Sequence, residues 1–138
     1  MSPPSARESV QVVAAALFDA SGRVLIAERP AGKPMAGRWE FPGGKRGADE
    51  PEAAALVREL AEELGIEVWA ARPSMRLRHA YPERDVELSL WVVVRYAGTP
   101  VALEGQRLKW VVPQKLERED LLEADRPFIE ALTRGAVP

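Results

Sequence analysis

The chain has 138 residues, of which 46% are hydrophobic and 29% are charged, and its formal net charge is −2. This length is typical of one compact domain that buries roughly two-thirds of its unfolded surface, so we expect residues 1–138 to form a single domain. The absence of cysteine excludes disulfides and thiolate sites, the charge balance offers no basic field for a nucleic-acid polymer, and no apolar run is long enough to span a membrane.

The chain is predicted to begin with a tail followed by two strands. Residues 1–8 lack the apolar core of a signal peptide and are predicted to form a loose tail. Residues 10–18 are apolar with β-branched side chains, and residues 19–22 have the composition of a turn. Residues 24–28 supply a second strand, so these segments together predict a β-hairpin.

A loop, a short strand and a turn are predicted before the first helix. Residues 29–38 contain two prolines and two glycines, which is the composition of a loop. The aromatic residues of 39–41 predict a short strand. The proline and two glycines of residues 42–44 then predict a turn into the helix.

That helix is the best-defined predicted element. Asp49 and Glu52 have the spacing of an N-terminal capping box. Pro51 lies in the first turn, where its missing N–H costs nothing. Gly65 stands where a left-handed C-cap belongs, and the distance between these signals is a normal helix length.

The second half of the chain predicts further strands and a final helix. Residues 66–77 have strand character that Pro73 interrupts, and residues 86–96 predict a long strand with an apolar centre, as expected for a strand buried on both faces. Residues 108–112 predict another strand, and residues 128–133 an amphipathic helix. The fold class is therefore α/β, a mixed sheet with helices packed on it.

The predicted helix carries an unusual concentration of acids. Residues three and four apart share a helix face, so Glu59, Glu62 and Glu63 would crowd one side. The opposite side would hold Val57, Leu60, Ala61 and Leu64. Like charges at this spacing repel, and a hard divalent cation such as Mg²⁺ would relieve the repulsion. Arg58 is predicted to orient Glu59 or Glu62 through a charge-assisted hydrogen bond.

Residues 44–66 resemble the Nudix box, G-x5-E-x7-R-E-U-x-E-E-x-G-U with U an aliphatic residue, and every fixed position is matched. The resemblance implies the Nudix fold, an α/β/α sandwich with a mixed β-sheet and an acidic helix. It also implies a metal-dependent hydrolase. The box does not select a substrate, because Nudix hydrolases share it across nucleoside triphosphates, nucleotide sugars, dinucleotides and ADP-ribose.

Flanking segments resemble the MutT-like branch of this family. Residues 38–45 are similar to the segment that leads into the box in MutT-type pyrophosphohydrolases. The resemblance implies that the carbonyl of Gly43 binds metal and that Lys45 faces phosphate. It also implies that Arg29, at the end of the second strand, binds phosphate.

Two later segments extend the resemblance to this branch. Residues 104–106 resemble a late E-G-Q element of this branch. The resemblance implies that Glu104 reaches back to the site as a distant metal ligand, and the alternative is an ordinary loop carboxylate. Residues 82–84 resemble a stretch whose arginine lines the nucleotide pocket. The alternative for Arg84 is a salt bridge with a neighbouring acid.

Asp125 precedes the final helix, where members of this branch that prefer 8-oxoguanine present an asparagine. Asparagine donates and accepts, which suits the mixed edge of an oxidised guanine. An ionised aspartate only accepts and favours an amino group such as N4 of cytosine, whereas a protonated one would mimic asparagine if its pKa were raised. Cytidine-nucleotide hydrolases of this branch also carry an aspartate here. The alternative for Asp125 is a helix N-cap alone.

The predicted activity is Mg²⁺-dependent hydrolysis of a nucleoside triphosphate to a monophosphate and pyrophosphate, with Mn²⁺ as an alternative metal. Candidate substrates are 8-oxo-dGTP and cytidine nucleotides such as dCTP and 5-methyl-dCTP, and the role would be sanitation of the nucleotide pool. The general base would be Glu59, with Glu104 second. The predicted catalytic residues are Glu59, Arg58, Glu62 and Glu104, and the predicted metal ligands are Gly43, Glu59, Glu62, Glu63 and Glu104. The predicted substrate-binding residues are Arg29, Lys45, Arg84 and Asp125.

Alternative functions follow from the same residues. The domain could be a non-catalytic Nudix-fold nucleotide sensor, a Nudix hydrolase of another nucleoside diphosphate derivative, or a structural Ca²⁺ site. The complete set of box acids argues against a pure sensor, and the phosphate-facing Arg29 and Lys45 argue against a structural site. We expect a cytoplasmic monomer or homodimer that binds a small-molecule nucleotide, with no nucleic-acid polymer and no membrane as partner.

Overall fold

The computed structural model describes residues 8–135. The predicted tail over residues 1–8 lies outside the described residues except for Glu8. In the described part, no helix is long and apolar enough to cross a membrane.

Seven strands, two α-helices and two 3₁₀ turns make up the described chain. The strands are β1 (Ser9–Ala16), β2 (Val24–Glu28), β3 (Trp39–Glu40), β4 (Gly43–Lys45), β5 (Glu67–Ala80), β6 (Asp85–Ala97) and β7 (Leu108–Val111). The helices are α1 (Glu52–Leu64) and α2 (Arg126–Thr133), and the 3₁₀ turns cover Pro113–Arg118 and Glu123–Asp125.

The strands form two sheets. The larger has the order β4-β1-β6-β5, in which β1 and β6 run parallel and the outer pairs are antiparallel. The smaller has the order β3-β2-β7 and is antiparallel. Parallel pairing of β1 with β6 requires a long connection, and this connection contains the second sheet's first strands and α1.

The predicted hairpin forms only at its turn. The side chain of Asp19 accepts hydrogen bonds from the backbone N–H groups of Ser21 and Arg23, both at 2.9 Å, which closes the turn. Beyond the bridge between Phe18 and Val24 the two strands enter different sheets. The reason is that β1 is apolar on both faces and is buried as an inner strand between β4 and β6, so it has no free edge left for β2.

The layers confirm the predicted α/β/α arrangement. On one side of the larger sheet, Val13 and Ala15 pack with Leu56 and Leu60 of α1. On the other side, alternate residues of β1 pack with α2 and the smaller sheet, in a cluster that includes Ala14, Ala16, Ile26, Leu90, Val111 and Phe128. Because successive residues of a strand point to opposite faces, β1 contributes to both cores.

Helix α1 differs from its prediction at the N-terminus. The predicted capping box is wrong, because Pro51 is the N-cap and no side chain caps it. The carboxylate of Glu52 instead binds Ser89 and Arg76, which draws it toward the sheet. At the other end, Gly65 has a left-handed φ of 69° and donates its N–H to the carbonyl of Ala61, as predicted.

The apolar face of α1 also differs from the prediction. Leu60 and Leu64 are buried as predicted, whereas Val57 and Ala61 are exposed. Ala55 and Leu56 take their places in the core. Glu63 lies beside this apolar face and is itself buried, so the acids of the helix do not share one environment.

The remaining elements follow the prediction with small shifts. Residues 43–45 are a strand paired with β1, where residues 42–44 were expected to turn. Strand β5 runs on to Ala80 and changes register near Pro73. Strands β6 and β7 and helix α2 agree with prediction within one or two residues, which is the usual uncertainty of an element boundary.

Candidate active site

A cavity of about 810 Å³ is lined by residues from most of the chain, and it is large enough for a nucleotide. Its wall includes the predicted site residues Arg29, Gly43, Lys45, Glu59, Arg84, Glu104 and Asp125. The other predicted residues, Arg58, Glu62 and Glu63, lie on α1 beside this wall. Of the acids predicted for the site, Glu59 of α1 and Glu104 of the loop between β6 and β7 therefore line one cavity, and the full set of metal ligands stays a prediction.

Glu63 links α1 to the double glycine. Its side chain is 7% exposed, and one carboxylate oxygen accepts the backbone N–H of Gly43 at 3.1 Å. Burial and the nearby carboxylates of Glu40, Glu104 and Glu59 raise the pKa of Glu63 to about 8, although the N–H of Gly43 opposes this. A charge buried without a cationic partner is costly to the folded state. Glu63 is therefore placed where a cation would be strongly favoured.

The double glycine leaves room for two close contacts. A Cβ on Gly43 would overlap the backbone of Val13 in β1. A Cβ on Gly44 would overlap the carboxylate of Glu59. Gly43 is therefore required for the approach of β4 to β1, whereas Gly44 leaves the room that the carboxylate of Glu59 occupies over its backbone.

Arg58 lies at the centre of the charged network. Its Nε donates to Glu50 at 2.8 Å, and Nη1 donates to Glu59 at 2.9 Å and to Glu62 at 3.2 Å. Nη2 donates to Glu50 at 2.9 Å and to the carbonyl of Lys45 at 3.2 Å. Bidentate pairing with Arg58 lowers the pKa of Glu50 to about 2. Arg58 contacts both acids that it was predicted to orient, and its effect on activity stays a prediction.

Glu59 and Glu62 have different environments. Burial raises the pKa of Glu59, even though Arg58 acts against this, and the carboxylates of Glu62 and Glu104 add to the rise. The side chain of Glu62 is 56% exposed at the rim. Glu59 is therefore the helix acid that combines contact with the cavity, an arginine partner and a raised pKa.

Glu40 is a cavity residue that the sequence analysis did not single out. It accepts a hydrogen bond from Nη1 of Arg29 at 3.0 Å, while Nε of Arg29 donates to the carbonyl of Pro34 at 2.7 Å. Burial raises the pKa of Glu40, with Arg29 opposing. The signal in the sequence was an acid between two aromatic residues of a predicted strand. An acid at that position is unexpected in a core and suggests a polar cavity.

Asp125 is buried in the cavity wall and does not cap the helix. It occupies the N-cap position of α2, but its backbone is helical and its side chain makes no capping hydrogen bond. Its Oδ2 is buried and has no hydrogen-bond partner among residues 8–135. Burial and the charge of Glu40 raise the pKa of Asp125 to about 8, against the N–H of Phe41 and the charge of Arg29. The alternative of a cap alone is therefore wrong, and the role of base reader stays a prediction.

The donor set fits a hard divalent cation. Across residues 8–135, no three histidine, aspartate or glutamate side chains form a ready-made metal cluster. The cavity wall nevertheless includes the carboxylic residues Glu59 and Glu104 and the backbone of Gly43, and carboxylate and carbonyl oxygens are ligands that Mg²⁺ takes in proteins. Burial of Glu63 and Glu59 next to other carboxylates would be offset by such an ion. The residues therefore fit the predicted metal.

A second groove, of about 330 Å³, lies beside the N-terminal end of α1. Its arginines are already paired, Arg76 with Glu52 at 2.5 Å and Arg78 with Glu87 at 3.0 Å. None of the residues predicted for the site lines this groove. The larger cavity is therefore the candidate site.

Comparison with known proteins identifies the family of the chain. The NUDIX domain family profile matches residues 13–131. The chain is 41% identical to the CTP pyrophosphohydrolase of Escherichia coli K12 over 86% of this chain and 88% of that protein. It is 33% identical to the 8-oxo-dGTP diphosphatase of the same organism, over 92% and 98% of the two chains. The solution structure of the E. coli ORF135 protein superposes with a TM-score of 0.82 at 39% identity, covering 99% of each chain. The protein therefore belongs to the NUDIX domain family.

Proposed function

We propose that this protein hydrolyses a nucleoside triphosphate to the nucleoside monophosphate and pyrophosphate, in sanitation of the nucleotide pool. The observation that carries the proposal is the buried carboxylate of Glu63, bound to the N–H of Gly43 beside a nucleotide-sized cavity. The names of two relatives, a CTP pyrophosphohydrolase and an 8-oxo-dGTP diphosphatase, support the same reaction class.

Nudix hydrolases need a divalent metal ion, and we propose Mg²⁺, with Mn²⁺ as an alternative. The ligands would be the carbonyl of Gly43 and the carboxylates of Glu59, Glu62, Glu63 and Glu104. When bound, the ion neutralises phosphate charge and lowers the pKa of water.

The side chains of the cavity account for the remaining chemistry. Glu59 accepts a proton from the attacking water, and Arg58 holds its carboxylate in place through the 2.9 Å hydrogen bond. Water adds to the β-phosphorus as the bond to the α-phosphate oxygen breaks, which releases the nucleoside monophosphate. Arg29 and Lys45, both in the cavity wall, offset phosphate charge that the carboxylates would repel.

Asp125 favours a base with a mixed hydrogen-bonding edge. With a pKa of about 8, its carboxyl group is protonated at neutral pH and can both donate and accept. Cytosine presents the N4 amino donor beside the N3 acceptor, and 8-oxoguanine presents a donor at N7 beside the O6 acceptor. Unmodified guanine offers two acceptors at N7 and O6. Both bases fit this carboxyl group, and we propose cytidine triphosphates as the first candidate substrates because the chain is 41% identical to a CTP pyrophosphohydrolase. We propose 8-oxo-dGTP as the second, with Arg84 also in the cavity wall.

The expected partners follow from this activity. The substrate is a free nucleotide, and no contact with a nucleic-acid polymer or a membrane is required. We propose that residues 1–138 act as one Nudix unit, as a monomer or homodimer, in the cytoplasm, where free nucleotides are made and used.

A pyrophosphate-release assay tests the proposed function. Purified protein is incubated with Mg²⁺ and CTP, dCTP, 5-methyl-dCTP, 8-oxo-dGTP or dGTP, and the products are separated by anion-exchange chromatography. We expect equal amounts of monophosphate and pyrophosphate, and no reaction with EDTA. Tight nucleotide binding without turnover would support a sensor instead. Release of orthophosphate and a nucleoside diphosphate would contradict cleavage between the α- and β-phosphates.

The close approach of Gly44 to Glu59 gives a further prediction. In Gly44→Ala the new methyl group would displace the Glu59 carboxylate, which is the movable end of a side chain, so the fold should survive. We expect kcat to fall about a hundredfold, because misplacing a catalytic group by an ångström costs about that much. Initial rates and thermal unfolding measure the two effects.

Gly47→Ala is the matched control for this substitution. A Cβ on Gly47 would meet Glu50 only at an ordinary van der Waals distance of 3.4 Å. It should therefore keep most of the activity. Equal rates for the two alanine variants would contradict the role assigned to Glu59.

A further inference from the structure

The loop between β6 and β7, which carries Glu104, is hydrogen-bonded to the C-terminal end of α1. The last carbonyls of a helix have no partner within the helix. Two of them are satisfied here by backbone N–H groups of the late loop, since Val101 donates to Leu64 at 2.9 Å and Leu103 donates to Glu63 at 3.2 Å. These two hydrogen bonds fix the position of the loop relative to the helix that bears the box acids.

One buried side chain completes the connection. Gln106 is 6% exposed, and its Nε2 donates to the carbonyl of Glu63 at 3.2 Å. Its Oε1 accepts the backbone N–H of Glu104 at 3.0 Å. A single amide thus joins the backbones of Glu63 and Glu104, two acids proposed to act at the same cleft.

The chemistry of this bridge requires an amide of this length. The bridge needs a donor at one end and an acceptor at the other, and the amide of glutamine carries both on one planar group at every pH. Glutamate when ionised lacks the donor, and methionine of similar size lacks both. Asparagine is one methylene shorter and cannot reach both partners from the same backbone position.

We propose that Gln106 is a positioning residue for hydrolysis, whose amide sets the separation between the acids of α1 and the carboxylate of Glu104. This inference rests on the proposed function. Glu59 and Glu104 line the same cavity, one from the helix and one from the loop. Without the bridge, the loop would stay tied to α1 only through the N–H groups of Val101 and Leu103. The backbone of Glu104 would lose its own link to the helix, and its carboxylate would be held less precisely.

Gln106→Met tests the proposal with little change in side-chain volume. Loss of a residue that holds a metal-site ligand commonly reduces activity or metal affinity by roughly 10–100-fold. We expect kcat to fall in this range with little change in KM, because the groups that bind the nucleotide are untouched. Gln114→Met, on an exposed 3₁₀ turn, is the control and should behave as wild type.

A double-mutant cycle separates positioning from general damage. In a Glu104→Gln background the carboxylate is already lost, so adding Gln106→Met should reduce kcat little further. If the two losses multiply instead, Gln106 acts through some other group and the proposal is overturned. Gln106→Asn should show the same non-additivity with Glu104→Gln. It replaces Gln106→Met in the double-mutant cycle if the methionine variant does not fold.

Two measurements do not depend on turnover. Hydrogen exchange of peptides covering residues 101–106 should accelerate in Gln106→Met, because the N–H of Glu104 loses its acceptor. Mn²⁺ binding followed by electron paramagnetic resonance should weaken by roughly tenfold or more relative to Gln114→Met. Unchanged exchange and unchanged Mn²⁺ affinity would overturn the inference. A wild-type protein that releases no pyrophosphate would instead remove the proposed function, while the exchange experiment would still report on the bridge.

Discussion

Glu63→Gln is expected to reduce pyrophosphate release by about a thousandfold and to stabilise the metal-free protein. A carboxylate that binds the catalytic ion contributes several kcal/mol to the transition state, and each 1.36 kcal/mol is tenfold in rate. Glutamine can still accept the N–H of Gly43, so the contact between α1 and β4 is kept. At neutral pH the buried side chain of Glu63 avoids its charge by taking up a proton, which costs stability, and above pH 8 it carries the charge. Glutamine removes both costs, which is why stability should rise as activity falls.

The stability effect has a definite pH dependence. The pKa of Glu63 is raised in the folded state from its ordinary value of 4.5 to about 8, so the folded protein loses stability as the pH rises from about 4.5 to about 8, and the loss is complete above that value. In EDTA, the melting temperature of Glu63→Gln should exceed that of wild type by more at pH 9 than at pH 6. Glu130→Gln, exposed on α2, should change neither activity nor melting temperature. Full activity of Glu63→Gln would remove Glu63 from the metal site.

Asp125→Leu is expected to abolish discrimination among bases while the protein still cleaves triphosphates. The Oδ2 atom is buried and without a partner among residues 8–135, and a base that pairs with it would satisfy it. Losing this pair costs about 1–3 kcal/mol, or roughly 10–100-fold in kcat/KM, for the preferred nucleotide only. The measurement is kcat/KM for CTP, dCTP, 8-oxo-dGTP and dGTP. An unchanged ranking would contradict Asp125 as the base reader.

Asp125→Asn tests whether Asp125 recognises the base in its protonated or in its ionised form. The amide donates and accepts at every pH, whereas the wild-type carboxyl loses its donor as the pH rises through about 8. Below pH 8 the two proteins should therefore rank the nucleotides alike. Above it, the wild-type carboxylate still accepts from the N4 amino group of cytosine but no longer donates to N3, so wild type should lose activity on cytidine triphosphates relative to the variant. Parallel pH profiles would show that the titration of Asp125 does not govern recognition.

The box and its helix could be predicted because their signals are local. The identities of Arg58, Glu59 and Glu63 follow from spacing along one helix, and Gly65 ends that helix where its conformational freedom is needed. The capping box failed because Glu52 bonds to Ser89, which is 37 residues away in the sequence. A contact of that kind is decided by packing rather than by local propensity.

The rest of the site depends on strands that meet only in the folded protein. The sequence pattern alone could not show that β1 and β2 would separate into two sheets, since that depends on the pairing of β1 with β6. The same long-range packing buries Asp125 and places Glu40 near it, which raises its pKa. The charge of a side chain such as Asp125 depends on the groups that surround it in the folded protein. The preference of aspartate for helix N-caps does not predict that charge.

The most direct test is a crystal structure with Mn²⁺ and a non-hydrolysable analogue of CTP. Anomalous scattering would locate the ions independently of the nucleotide. We predict ions within about 2.5 Å of oxygens from Glu63 and Glu59, in contact with the triphosphate, and the base against Asp125. Ions bound elsewhere, or a nucleotide seated outside the cleft between α1 and Glu104, would contradict the account.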